Sequence, residues 1–416
     1  MRQFFTLCLF LLFLQAVQAQ LPGKFQGQGP IKAVSTESRP VQRQWKGVFT
    51  FPRGDVQFSN QFPGARLNGL TQENDSVYSI LITSENTPVN GSPWYAFKVW
   101  SKRPHTINIK LTYQQGASHR YNPKVSKNGR NWSAVNGERV KRADDSLSVA
   151  YQFRIEVSRD TTWVAAQELY TSADVYKWAA ALGRKMSWPL STIGETHWGR
   201  PVMLLKAGNL QSRNRVLIIG RQHPPEVTGQ LAEQAFVERV AANDSLATAF
   251  RERFLLYVVP LMNPDGVDEG FWRHNAGGVD INRDWQAFHQ PETRAVRSLL
   301  EKEITGAGNK LWFGLDFHST HEDIFYIVDP ALRGSLPGFI KDWLQAFQQR
   351  IPGYEPNIKP LYSEGPTSTS FSYLFKNYGT EALVYEIGDN TSREFIIQKS
   401  KVAAEAMMQL LLERVP

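Results

Sequence analysis

Four apolar runs in the second half of the chain each end beside polar residues, and this pattern constrains the fold more than any other feature. The runs cover residues 216–220, 255–261, 311–317 and 382–385. Short apolar runs of this kind are typical of strands buried on both faces. In an open α/β sheet the carboxyl ends of parallel strands lie along one edge, where reactive side chains collect. We therefore expect the polar residues at the ends of these runs to share one rim.

The residues at these ends have the chemistry of a zinc site. His223 and Glu226 follow the first run, residues 263–266 (Asn-Pro-Asp-Gly) follow the second, His318 follows the third and Glu386 the fourth. A His-x-x-Glu pair by itself is weak evidence, but catalytic zinc commonly takes two histidines and one glutamate and leaves a position for water. A further carboxylate can take the proton of that water. We expect His223, Glu226 and His318 to bind zinc, with Glu386 as the general base.

The first half of the chain has the pattern of β-structure. Runs at 77–82, 94–100, 107–113 and 151–157 are short, rich in aromatic and β-branched residues, and separated by turn residues. Several alternate apolar with polar residues, as half-exposed antiparallel strands do. We predict an extended lead-in over residues 20–44 and an antiparallel β-sandwich over residues 45–167.

From residue 168 the pattern changes to strands alternating with helices. Helical periodicity covers 173–184, 229–240, 291–302, 336–349 and 393–414, with the four apolar runs between these segments. Such alternation favours an α/β fold with a mostly parallel mixed sheet flanked by helices. We predict that residues 168–416 form this second domain.

Residues 1–19 have the basic start, short apolar middle and small-residue end of a secretory signal peptide. We expect cleavage after Ala19 and export to a periplasmic or extracellular location, without stable membrane insertion afterwards. The single cysteine, Cys8, lies inside this segment, so the exported chain would contain no disulfide. The formal net charge of +8 is carried by scattered residues and not by one basic stripe, which disfavours nucleic-acid binding.

The segment from 263 to 285 resembles the zinc metallocarboxypeptidases, the relatives of carboxypeptidase A. The family pattern runs Asn-Pro-Asp-Gly, then an arginine, then Gly-Val-Asp-Leu-Asn-Arg. Here these are residues 263–266, Arg273 and residues 278–283, with Ile281 in place of leucine. The resemblance covers about residues 170–416. The short segment after Arg273 and the preceding β-sandwich resemble the cytosolic carboxypeptidase subfamily and its bacterial relatives, although the expected export is a departure from that subfamily.

The resemblance implies a role for each matching residue and a peptide substrate with a free C-terminal carboxylate. It implies that His223, Glu226 and His318 bind one zinc ion, that Glu386 is the general base, that Arg273 polarises the scissile carbonyl, that Asn282 and Arg283 bind the terminal carboxylate, and that Tyr362 is the mobile substrate-binding tyrosine. An arginine fork suits a carboxylate because it can donate two parallel hydrogen bonds.

Two alternative functions stay open at this stage. A peptidoglycan stem-peptide hydrolase or acyl-amino-acid amidase would use almost the same site residues, so only the cleavage products discriminate. A binding protein with an inert second domain is disfavoured by the intact ligand set and the intact Glu386. The resemblance places the bottom of the family's specificity pocket near Thr369, which disfavours strong selection of basic side chains. The sequence leaves the oligomeric state open.

Overall fold

The computed structural model describes residues 25–27, 35–51, 55–144, 148–362 and 368–416. The predicted signal peptide and part of the predicted lead-in lie outside these residues. The first part of the described chain forms eleven strands: β1 (Val48–Thr50), β2 (Val56–Ser59), β3 (Gly69–Gln72), β4 (Val77–Ile82), β5 (Ala96–Ser101), β6 (His105–Tyr113), β7 (Lys124–Ser126), β8 (Ser133–Ala134), β9 (Lys141–Arg142), β10 (Ala150–Val157) and β11 (Thr162–Ala165).

These strands form the two sheets of a β-sandwich, with the orders β1-β2-β5-β11-β7-β8 and β3-β4-β6-β10-β9. Alternate residues of β6 are buried, in keeping with a strand that has one face in the core and one in water. Neighbouring strands pair antiparallel except β4 and β6, which pair in parallel. The predicted sandwich is therefore present, and it contains one parallel pairing that the sequence pattern did not indicate.

The second part of the chain alternates helices and strands. Its elements are α1 (Ser172–Met186), β12 (Leu190–Glu195), β13 (Pro201–Gly208), β14 (Asn214–Gly220), α2 (Val227–Val240), α3 (Ser245–Arg253), β15 (Phe254–Val259), α4 (Pro264–Glu269), α5 (Pro291–Leu300), β16 (Lys310–Thr320), β17 (Ile324–Val328), α6 (Phe339–Arg350), β18 (Ile358–Tyr362), α7 (Ser370–Tyr378), β19 (Glu381–Gly388) and α8 (Arg393–Arg414). The predicted domain boundary near residue 168 falls between β11 and α1.

The eight strands assigned in this part form one sheet with the order β12-β13-β15-β14-β16-β19-β17-β18. Four of its seven pairings within the described residues are parallel, and they include all the pairings among β15, β14, β16 and β19. The prediction of a mostly parallel mixed sheet flanked by helices is confirmed. The four predicted apolar runs are the four central strands, and every residue of β15 is buried.

The sheet is covered by apolar side chains on both faces. One cluster packs β14, β15, β16 and β19 against α2, α3, α6 and α8, and a second packs the other face against α5 and α7. A third cluster fills the sandwich and takes in Val227 and Trp272 from the α/β domain, so the two domains share apolar packing. None of the helices in the described part of the chain has the length and hydrophobicity needed to cross a bilayer.

Candidate active site

His223 and Glu226 lie in the connection between β14 and α2. The backbone turns at Arg221, which has a φ of 53°, and the Arg221 Nε donates to the carbonyl of Pro224 at 2.8 Å. Glu226 is the N-cap residue of α2. This short connection brings both side chains back over the carboxyl end of the sheet.

His318 lies on β16, and its position depends on a close approach of α2. A Cβ on Gly229 would lie 2.5 Å from the carbonyl oxygen of His318, so this helix position accepts only glycine without a shift. We expected His318 and Glu386 to follow their strands. Instead β16 continues to Thr320 and β19 to Gly388, and the two residues are register partners on these neighbouring parallel strands.

The three predicted zinc ligands form one buried cluster. Their ligand atoms all lie within 4.8 Å of one another. Glu226 Oε1 is 2.8 Å from His223 Nδ1, Glu226 Oε2 is 2.8 Å from His318 Nδ1, and the two Nδ1 atoms are 3.1 Å apart. Two imidazoles and a carboxylate converging in this way are the donor set of a catalytic zinc site. The residues present therefore fit a zinc ion.

The charges around the cluster favour a cation. Burial opposes ionisation of Glu226, but His223 and His318 outweigh it and hold the pKa of Glu226 well below its usual range. Burial likewise opposes the charged form of His318, but the carboxylates of Asp316 and Glu226 raise its pKa well above its usual value. The carboxylates thus stabilise positive charge at this point.

Each imidazole also contacts a carboxylate that sequence reasoning missed, through the ring nitrogen that faces away from Glu226. Asp280 Oδ1 lies 3.0 Å from His223 Nε2, and Asp316 Oδ2 lies 2.9 Å from His318 Nε2. A carboxylate accepts hydrogen bonds, so each Nε2 donates to its aspartate, and Nδ1, the nitrogen that faces Glu226, is the one that would bind a metal. Asp280 lies inside the Gly-Val-Asp-Ile-Asn-Arg motif, which was a usable signal. For Asp316 the signal was a lone charge within an apolar strand.

Glu386 has the environment of a general base. Its Oε2 is buried and has no hydrogen-bond partner among the described residues. Burial and the neighbouring Glu226 raise the pKa of Glu386 to about 7, against the opposing charges of His318, Arg273 and Arg120. A carboxylate with a pKa near neutrality can both accept and return a proton at ordinary pH.

Arg273 lies beside the cluster. Its Nε donates to Asp280 Oδ2 at 2.8 Å, and its Nη1 is 4.0 Å from Glu226 Oε1. Burial acts against its charge, but the carboxylates of Asp280 and Glu226 raise the pKa of the guanidinium. Asp280 therefore joins Arg273 to His223, and the cation is fixed beside the predicted metal position.

The predicted substrate-binding residues differ in their surroundings. The Asn282 side chain accepts from the backbone N–H of Ser370 at 3.1 Å, and its Nδ2 is 3.3 Å from His318 Nε2. Arg283 donates from Nη1 to the Asn282 carbonyl at 2.9 Å. Tyr362 ends β18 and packs edge-on against Phe375, with ring centroids 5.9 Å apart. The structure thus brings Asn282 to the cluster and shows Tyr362 packed on α7.

Sequence comparison identifies the family. The sequence model of the zinc carboxypeptidase family matches residues 175–412. The chain belongs to the zinc carboxypeptidase family. Zinc is therefore its cofactor, and the cluster of His223, Glu226 and His318 could hold the single ion that the family uses. The chain is a metallocarboxypeptidase-type enzyme, as the sequence motifs predicted.

Individual relatives extend the likeness into the β-sandwich. An uncharacterized protein of Zymomonas mobilis is 24% identical in an alignment of 319 residues that covers 74% of this chain and 79% of that protein. Cytosolic carboxypeptidase 3 of Bos taurus is 21% identical in an alignment of 302 residues that covers 65% of this chain and only 30% of the bovine protein. The chain therefore spans less than a third of the length of its bovine relative.

Solved structures share the fold of both domains. A metallo-carboxypeptidase from Burkholderia cenocepacia has a TM-score of 0.71 and 18% identity, covering 86% of this chain and 99% of that one. A metallo-carboxypeptidase from Pseudomonas aeruginosa, solved with (2-guanidinoethylmercapto)succinic acid, has a TM-score of 0.69, 18% identity and the same coverage. The pairing of a β-sandwich with the α/β domain is therefore a shared architecture.

Proposed function

We propose that the chain is an exported zinc metallocarboxypeptidase that removes C-terminal amino acids from peptides. The observation that carries this proposal is the buried cluster of His223, Glu226 and His318, with Glu386 on the adjoining strand and Arg273 beside it. A zinc ligand set, a general base and a fixed cation are the groups that amide hydrolysis requires.

Zinc, when bound by the cluster, supplies a Lewis acid that lowers the pKa of water. Glu386 accepts a proton at its unpartnered Oε2 as the water oxygen forms its bond to the carbonyl carbon. The guanidinium of Arg273 donates to the carbonyl oxygen as that oxygen gains negative charge. Glu386 then gives the proton to the amide nitrogen, the C–N bond breaks, and a carboxylic acid and an amine leave.

The substrate carboxylate is assigned to Arg283, with Asn282 beside it. Within the described residues Arg283 makes one side-chain hydrogen bond, through Nη1, which leaves most of its N–H groups for a ligand. The side chain of Asn282 lies 3.3 Å from the imidazole of His318, so the carboxylate pocket adjoins the metal position. A terminal carboxylate bound there places the last peptide bond at the cluster.

The test is mass spectrometry of a peptide library that includes peptidoglycan stem peptides, incubated with the purified chain lacking residues 1–19. We expect stepwise loss of C-terminal residues, which a zinc chelator stops and added zinc restores. Glu386→Gln should be inactive, and Glu73→Gln, a change at an exposed glutamate of the sandwich, should be active. Cleavage of stem peptides alone or of acyl-amino acids would replace the proposal with the amidase function, and no cleavage would refute both.

Export is part of the proposal and is tested separately. The full chain expressed in a Gram-negative host should be recovered from the periplasm with Gln20 as its first residue. Arg2→Glu, which reverses the charge at the start of the segment, should slow its export. Recovery of the wild-type chain from the cytoplasm with residues 1–19 intact would contradict the assignment.

A further inference from the structure

Glu85 of the β-sandwich reaches into the α/β domain and holds the backbone around Arg273. It follows β4, and it is fully buried. Its Oε1 accepts from the N–H groups of Arg273 and His274 at 3.0 and 2.7 Å, and its Oε2 accepts from Trp272 at 2.7 Å. Three consecutive N–H groups directed at one carboxylate form a small anion cradle.

Residues on both sides of Arg273 are tied to the sandwich in other ways. The side chain of Trp272 packs into the sandwich core. His274 Nδ1 makes a short hydrogen bond with Asn86 Oδ1, next to Glu85. The side chain of Arg273 contacts Asp280 and approaches Glu226. The sandwich therefore fixes the backbone of Arg273, while the α/β domain fixes its guanidinium.

Arg120 is a second contact of the same kind. Its Nε and Nη2 donate to the two carboxylate oxygens of Asp389 at 2.7 and 3.1 Å, and its Nη2 also donates to the carbonyl of Ser319 at 3.0 Å. Its Nη1 donates to Ser92 of the sandwich at 2.6 Å. The pair with Asp389 is buried, with side-chain exposures of 1% and 4%.

The two groups held by Arg120 adjoin the reactive residues. Ser319 follows His318 directly, and Asp389 lies three residues after Glu386. One guanidinium therefore joins the ends of β16 and β19. Its planar fork fixes both partners at once, which a single ammonium group cannot do.

We propose that Glu85 and Arg120 are positioning residues of the active site, by which the β-sandwich places catalytic groups of the other domain. Glu85 orients Arg273 toward the carbonyl oxygen, and Arg120 fixes His318 relative to Glu386. The inference rests on the proposed peptidase function. It gives the sandwich a direct part in the chemistry, because small displacements of reacting groups have large effects on rate.

The first test is a double-mutant cycle of Glu85→Gln with Arg273→Ala. The amide nitrogen of glutamine cannot accept a hydrogen bond. In Glu85→Gln this nitrogen therefore faces one of the three backbone N–H groups, and that N–H group loses its acceptor. At a temperature where circular dichroism shows folded protein, we expect Glu85→Gln to lower kcat about 10-fold or more with little change in KM. In the Arg273→Ala background the same change should cost less than about 2-fold, because coupled residues are not additive.

Several outcomes decide this first arm. Glu73→Gln on the sandwich surface is the matched control and should have wild-type kcat. Equal losses in both backgrounds, or a wild-type kcat for Glu85→Gln, would overturn the role of Glu85. If Glu85→Gln does not fold, Glu85→Asp keeps the charge with a shorter reach and should give a smaller loss of kcat. Amide exchange at residues 272–274 should accelerate in either variant.

The second arm uses Arg120→Lys, which keeps the charge and loses the fork. We expect kcat to fall about 10-fold and zinc affinity to fall as well, because His318 adjoins Ser319. Arg154→Lys, at an exposed arginine of β10, is the control. Unchanged kcat and zinc affinity would overturn the role of Arg120. Zinc affinity and amide exchange need no substrate, so they test the positioning contacts even if the wild-type chain cuts no peptide and the proposed function fails.

Discussion

Replacing Asp316 by asparagine tests how strongly the carboxylate that hydrogen-bonds to His318 contributes to zinc affinity. One oxygen of Asp316, Oδ2, lies 2.9 Å from His318 Nε2 and accepts from Gln222 Nε2 at 2.6 Å. The same oxygen accepts a short hydrogen bond from the hydroxyl of Ser370. The other oxygen, Oδ1, is buried without a hydrogen-bond partner among the described residues.

The magnitude follows from this geometry. Asparagine can present its oxygen to the same three donors and place its amide nitrogen where Oδ1 has no partner. The hydrogen-bond directions are then kept, and the main loss is the negative charge that makes Nδ1 of His318 a better ligand. Substitution of a residue that hydrogen-bonds to a metal ligand lowers metal affinity by roughly 10- to 100-fold. Because the geometry survives, we expect about 10-fold, or about 1.4 kcal/mol.

The assay is competition for zinc between the protein and a chromophoric chelator at pH 7.5. Asp316→Asn should bind zinc about 10-fold more weakly, and its far-ultraviolet circular dichroism should match that of the wild type. Asp160→Asn, at an exposed aspartate in a turn of the sandwich, is the control for the same chemical change. An Asp316→Asn protein with wild-type zinc affinity would refute the reasoning that the charge on Asp316 strengthens the ligand.

Four other outcomes are expected. His223→Ala should lose both bound zinc and activity, measured by metal analysis and peptide hydrolysis; retained stoichiometric zinc would move the metal site. Glu386→Gln should keep zinc and lose turnover, and a near-normal kcat would reject it as the base. Arg283→Lys should raise KM far more than it lowers kcat, because lysine lacks the bidentate fork. Burial raises the pKa of Glu292 to about 7 from 4.5, so the wild type should lose stability as pH rises through this range, by roughly 3 kcal/mol at most. Glu292→Gln should remove the part of this dependence that comes from Glu292. The melting temperature of the variant relative to the wild type should therefore be higher at pH 8 than at pH 5, and an equal difference at both pH values would contradict the assignment.

The apolar runs made the central sheet predictable. Strands β14, β15, β16 and β19 are buried on both faces, so each appears in the sequence as a nearly continuous apolar segment. Their order along the sheet and the outer strands were not predictable in this way. None of the residues of the edge strand β18 is buried, and its pairing with β17 is a long-range contact without a local signal.

The residues of the metal-binding cluster could also be predicted from the sequence, because they occur in motifs with a fixed order. The residues that surround and position the site could not be predicted in this way. Glu85 and Trp272 are 187 residues apart, and Arg120 and Asp389 are 269 apart, yet both pairs are in direct contact. No local pattern relates residues at such separations, since a buried carboxylate and a surface carboxylate look the same in a sequence.

The sequence by itself determined the fold class, the family and the residues able to bind zinc, because hydrophobic periodicity and motif order are local properties of a chain. Only the tertiary structure decided which imidazole nitrogen is free for the metal. Asp280 and Asp316 each accept a hydrogen bond from one Nε2, and each Nδ1 therefore faces Glu226. The tertiary structure also decided that the sandwich contacts the site, because packing of Trp272 brings Glu85 to its three N–H partners. Hydrogen bonds depend on distance and direction in space, and these exist only once the chain has folded.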